Sequence, residues 1–173
     1  MRVFNKVSPT LWQSRRFLSL PSSDGRLLFL YFLTCPHNNS AGCFWLPDDY
    51  ALHDLAWEQD RYDAERQSLI AAEMVDHDAE NEVVLIERWF HHNPSMNKSH
   101  RVGILRQLEK VSSDRLREKA FDALEAAESG TGERKPDGGT QPPYKPDALP
   151  APSDGVTAAH LQTKLMTRGA RRR

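Results

Sequence analysis

Short apolar runs alternate with polar breaks as far as about residue 127, and the period of each run predicts an element. Residues 27–33, Leu-Leu-Phe-Leu-Tyr-Phe-Leu, are apolar on every side, the pattern of a central helix covered from several directions. Ahead of them Pro21-Ser22-Ser23-Asp24 offers hydroxyl and carboxylate caps for free helix amides. Behind them Cys35-Pro36 stops the helix, because proline has no amide donor and disfavours helical angles in its predecessor. A helix over 24–34 is predicted. Turn chemistry in His37-Asn38-Asn39-Ser40-Ala41-Gly42 then leads into Cys43-Phe44-Trp45-Leu46, which reads as a short buried strand.

Pro47-Asp48-Asp49 opens a second helix, with proline tolerated in the first turn and carboxylates favoured at the positive end of the dipole. Tyr50, Ala51 and Leu55 are expected to face inward, with Leu52 beside them. Asp60 and Asp63 are the expected cap of a third helix, running to about Met74 with Tyr62 and Leu69 in the core. Two strand-like runs, 74–77 and 83–87, flank the polar residues 78–82 as a hairpin, and Trp89 and Phe90 close the core. Residues 91–100 read as a polar connector. Val102, Leu105, Leu108 and Val111 mark one further helix, and Leu116, Ala120, Phe121, Leu124 and Ala127 another. At the N-terminus Trp12, Phe17, Leu18 and Leu20 anchor a short helix or extended lead-in. Helix, strand, helix, helix, hairpin is the order of a winged helix-turn-helix domain. The predicted fold is mainly α with a small β-hairpin and extra C-terminal helices.

Composition adds a boundary. The chain has 173 residues and 39% hydrophobic residues, below the roughly 45–50% of globular domains, and the shortfall sits near the C-terminus. A domain with its helical extension is predicted over 1–128. The glycine-, proline- and charge-rich segment 129–155 cannot bury enough apolar surface to offset its ordering entropy and reads as a disordered linker. Val156, Leu161, Leu165 and Met166 then return at roughly helical spacing ahead of Arg168 and Arg171-Arg172-Arg173, giving a short basic amphipathic tail over 156–173.

The formal net charge of -1 hides an asymmetry. Eight basic and four acidic residues follow Glu128, so that segment carries +4 and the rest -5. An acidic body opposes broad adhesion to DNA, whose non-specific affinity comes from phosphate contacts, so a DNA site has to be a local patch. No apolar run of signal-peptide type opens the sequence and none approaches the roughly 20 residues that span a bilayer. Together with only two cysteines, Cys35 and Cys43, these features predict a soluble, cytoplasmic protein with no membrane association.

The strings Gly25-Arg26-Leu27-Leu28, Leu33-Thr34-Cys35-Pro36-His37-Asn38, Gly42-Cys43-Phe44-Trp45-Leu46-Pro47, Arg88-Trp89-Phe90 and Asn93-Pro94 resemble the winged helix-turn-helix module of phage and prophage replication-initiation proteins. These are of the replisome-organiser type, related in plan to helicase-loading primosomal proteins. The likeness covers residues 7–110. It implies DNA binding at a replication origin or to primosomal DNA, with partner recruitment by the region that follows. Where such modules usually carry an aliphatic residue this chain has Arg66, and where they carry a glycine before the wing it has Glu73.

In a helix-turn-helix the second helix of the pair enters the major groove. Its expected exposed residues are Arg61, Arg66, Gln67 and Ser68; arginine pairs bidentately with guanine and glutamine with adenine. The wing, with Asp76, Asp78, Glu80 and Glu82, would repel phosphate. Lys98, His100, Arg101 and Arg106 form a basic stretch that can hold the backbone instead, with Asn97 and Ser99 as neutral donors. Lys6, Arg15 and Arg16 are a weaker patch of the same kind. The other reading of each set is a solvated helix face.

No phosphate-cradling glycine loop, zinc-protease pattern or nucleophile elbow is present, so neither an enzyme nor a cofactor is predicted. Capping explains Asp48 and Asp49 better than a magnesium site shared with Asp54. Cys35, His37 and Cys43 lack the paired spacing of zinc fingers, and His91-His92 has no partner motif. Three functions fit this set: a DNA-binding protein of phage or prophage replication initiation, a winged-helix interaction module that recruits a replicative helicase or helicase loader without DNA, and a transcriptional regulator. In the first two the tail is the expected partner-docking segment. The third would call for a dimer on a palindromic site.

Overall fold

A computed structural model describes residues 5–130; the tail and most of the linker read from the sequence lie outside them. The described chain is mainly helical with one small antiparallel sheet. In order it forms a 3-10 turn (Pro9–Gln13), α1 (Arg15–Leu18), α2 (Ser23–Thr34), β1 (Cys43–Trp45), α3 (Asp48–Leu55), α4 (Gln59–Ala71), β2 (Val75–Asp78), β3 (Val83–Ile86), α5 (Trp89–His92), α6 (Lys98–Leu108) and α7 (Asp114–Glu128). The three strands lie in the order β1-β3-β2, all antiparallel, with Cys43 opposite Leu85 and Val75 opposite Ile86. This arrangement is compatible with a winged-helix-like fold.

Each helix start has a local cause. Ser22 accepts from the Gly25 amide at 2.8 Å and caps α2; Asn97 and Ser113 do the same for α6 and α7. The α4 cap differs from expectation. Glu58 holds that position without a side-chain bond, and the helix ends at Ala71, before Met74. The chain then turns through Glu73 at φ 51, a left-handed position in which a Cβ is strained and where the resembling modules carry glycine. The connector expected over 91–100 holds the second half of α5 and the first turn of α6.

One apolar core runs through the described domain. Phe17, Leu28, Phe32, Leu46, Tyr62, Leu69, Ile104, Leu108, Leu116 and Leu124 are fully or almost fully buried in it, so the C-terminal helices complete the core. Gly42 is obligatory. Its φ is +64 and a Cβ there would stand 2.3 Å from the Trp89 ring, whose Nε1 donates to the Ser40 carbonyl at 2.9 Å. Tyr50, expected inside, is 48% exposed, while Ala51 is the residue of α3 that is buried.

The hairpin is tied down by its own carboxylates. Asp78 accepts from the Glu80 and Asn81 amides at 3.1 and 3.2 Å, and from the Ser113 hydroxyl at 2.5 Å. Asp76 takes Arg115 in a two-pronged bond at 2.9 and 3.0 Å and Lys119 at 2.7 Å. Two of the four acids assigned to the wing tip are thus structural ties to α7, leaving Glu80 and Glu82 exposed at the turn.

Candidate nucleic-acid interface

The residues chosen from the sequence fall on α4 and α6. On α4, Arg61 is exposed but committed: its Nε donates to Asp24 Oδ2 at 2.8 Å and its guanidinium lies 4.4 Å from the Trp57 ring centroid. Glu65, one turn later, accepts from the Ser22 hydroxyl at 2.6 Å. Both side chains clamp α4 onto the start of α2, where Gly25 permits the approach: a Cβ there would be 2.9 Å from Glu65 Oε2.

Arg66 overturns an expectation. It is only 8% exposed, its guanidinium paired with Asp48 and Asp63 and lying 4.8 Å from the Tyr62 ring centroid. The cause is helical phase. Tyr62, Arg66 and Leu69 are spaced four and three apart and share one face, and that face is the buried one. Arg66 therefore occupies a core position, and its charge is neutralised from α3 and α4. Ser68 is half-buried and donates back to the Ala64 carbonyl at 3.0 Å. Gln67 remains exposed. The outward stripe of α4, Asp60, Ala64, Gln67 and Ala71, holds no cation, and α4 as a whole carries three acids against two arginines.

The second set sits on a different kind of surface. Lys98, Val102, Arg106 and Lys110 follow one another at four-residue steps along α6 and the turn after it, and all four are exposed, Val102 by 45%. No carboxylate among the described residues pairs with the three cations. Arg101 donates to Glu128 at 2.8 Å, and His100 accepts at Nδ1 from the Met96 amide at 3.2 Å; these two brace the helix start instead of facing a ligand freely. Residues 98–110 carry four cations and one acid. Lys110 is not among the sequence candidates, although its step of four from Arg106 places it on that stripe; Val102, one of the apolar residues that mark this helix in the sequence, lies exposed on it.

Of the weaker N-terminal patch, Arg16 is occupied by the Ala72 and Glu73 carbonyls and the Glu73 carboxylate, whereas Lys6 and Arg15 are exposed. The two cysteines are buried and unpaired. Burial pushes the Cys43 thiol up to about 12, so it stays protonated and unreactive near neutrality. Among the described residues no cluster of three potential metal ligands occurs, and no helix is long and apolar enough to cross a membrane.

Compared with known protein families, curated proteins and solved structures, the chain matches none.

Proposed function

We propose that this chain is a winged-helix nucleic-acid-binding protein acting in the initiation of phage or prophage DNA replication, and that its phosphate-contacting element is α6. The fold supports this reading through the order α2, β1, α3, α4, β2, β3 with its β1-β3-β2 sheet, and the replisome-organiser strings supply the biological setting. The observation that carries it is the stripe Lys98, Arg106 and Lys110, whose cations have no carboxylate partner among the described residues, in contrast to the arginines of α4, which are both committed to carboxylates. Neutralising three phosphates releases their counterions and gives a log–log salt slope of about -2.7 on duplex DNA.

The test is a fluorescence-anisotropy titration of the full chain against labelled duplex and single-stranded oligonucleotides at several salt concentrations. Replacing Lys98, Arg106 and Lys110 together by alanine is expected to reduce the slope of the full chain by up to about 2.7, and Arg61→Ala to leave affinity within about twofold. Affinity indifferent to salt, or unaffected by the triple change, would sink the proposal.

A second reading has its own observation. The excess of acids on α4 and the exposed Glu80 and Glu82 at the hairpin turn favour a surface that meets protein, in which the module recruits a replicative helicase or its loader. Capture of purified helicase by the full chain in the absence of DNA, undiminished by the α6 triple change, is the outcome that reading requires. Removal of 156–173 then tests whether the tail is the docking segment; unchanged capture takes it out of the account.

A further inference from the structure

Three aromatic rings stand together on the surface formed by the loop before β1, β1 itself and the first turn of α3. His37 and Tyr50 have ring centroids 4.7 Å apart, His37 and Trp45 6.0 Å, and Trp45 and Tyr50 6.1 Å. Trp45 is 51% exposed, whereas Cys43 and Phe44 are the buried residues of β1. The carboxylates nearby belong to the same surface. Glu82 Oε2 accepts from Trp45 Nε1 at 3.1 Å, and Asp49 precedes Tyr50 at the helix start. Neither forms an ion pair with a lysine or arginine among the described residues, unlike Asp24, Asp48, Asp63 and Asp76.

Exposed rings attract either nucleobases or cations. Bases bring phosphates with them, and a carboxylate bonded to the edge of the Trp45 ring repels phosphate. A cation gains from both features: the negative faces of tryptophan and tyrosine attract it, and the adjacent carboxylate completes its neutralisation. Arginine suits such a patch better than lysine, because its planar guanidinium stacks on an aromatic face while its fork donates to a carboxylate. The molecule already contains this arrangement twice, in Arg61 over Trp57 bonded to Asp24 and in Arg66 over Tyr62 bonded to Asp48 and Asp63. At Trp45 the ring and the carboxylate stand together, and among the described residues no guanidinium lies over the ring.

We propose that His37, Trp45 and Tyr50, bordered by Glu82 and Asp49, form a docking patch for an arginine side chain of a partner protein. The patch is independent of the α6 stripe, and its test does not depend on DNA binding.

The full chain is titrated into a fluorescein-labelled Gly-Ser-Arg-Gly-Ser-Arg-Gly peptide, and into the same peptide with citrulline in place of arginine, a change that keeps the shape and removes the charge. Binding of the arginine peptide, at least about tenfold tighter than the citrulline peptide, is expected. Trp45→Ala and Tyr50→Ala should each weaken it about fivefold, and Glu82→Gln about threefold, with far-ultraviolet circular dichroism unchanged. Tyr50 lies exposed on a helix, so its variant serves even where Trp45→Ala disturbs β1. Loss on Glu82→Gln with no loss on either aromatic change would show mere attraction to an acidic surface and overturn the proposal, as would failure of the arginine peptide to bind. Oligothymidine binding that requires Trp45, in place of peptide binding, would overturn it in favour of base stacking.

Discussion

Arg66 shows how one side chain can look like a ligand-binding group and be structural. Its guanidinium lies at a buried position of α4 and is neutralised by two carboxylates whose outer sides still reach water. Truncation would leave Asp48 and Asp63 close together and open a cavity beside Tyr62. Arg66→Ala is expected to cost about 2–3 kcal/mol in chemical denaturation, at the low end for a buried pair because the partners are partly solvated. Arg66→Leu fills the volume and should lie within about 1 kcal/mol of the parent. Asp78 is a second residue whose role is local. The Ser113 hydroxyl above all, then the Asn81 side chain, lower its pKa to about 2. An unfolded aspartate titrates near ~3.9, so this group adds stability above that pH and loses it as the pH falls toward 2. Thermal melts from pH 5 to 2 should therefore show a steep loss in the parent and a shallower one in Asp78→Asn, which begins from a lower melting temperature at pH 7.

At the scale of elements, the loop from α2 to β1 depends on one glycine. Gly42→Ala adds a Cβ into the Trp89 ring at a left-handed backbone position, so that the ring or the backbone has to shift. A loss of at least about 3 kcal/mol is expected by urea denaturation; a smaller one would mean that Trp89 can repack. The positions of α2, β1, β2, β3, α6 and α7 were all legible from apolar period and caps, because each contributes a continuous apolar face to one core. The inward place of Arg66 on α4 was legible only in part. Tyr62 and Leu69, both expected in the core, fix the phase and put Arg66 on their face, but only the fold supplies the Asp48 and Asp63 carboxylates that let a guanidinium be buried there. Tyr50 was misjudged for a related reason: at the start of a short helix, a single aromatic residue does not say which side the neighbouring sheet will cover.

For the whole molecule, charge distribution governs what the proposed function asks of the chain. The segment up to Glu128 carries -5, so DNA affinity has to be concentrated where cations escape their internal partners. The segment 156–173 brings Lys164, Arg168, Arg171, Arg172 and Arg173 with no acid. Its removal is expected to lower the salt slope of duplex binding in addition to the α6 triple change, the two effects adding because the charges belong to separate segments. A truncated chain with an unaltered slope would restrict the interface to α6.

The sequence by itself determined the order of elements, the apolar core and the break in composition after residue 128, because these follow from local period, capping and the entropy of ordering. It also narrowed the cations to a short list. Only the tertiary structure decided which of them are available. Arg61, Arg66, Arg101 and Arg115 meet carboxylates 18 to 39 residues away in the chain, as Asp24, Asp48, Glu128 and Asp76 lie 37, 18, 27 and 39 positions from them. A charge is consumed or left free by partners that the fold brings together, and no local pattern along the chain records them.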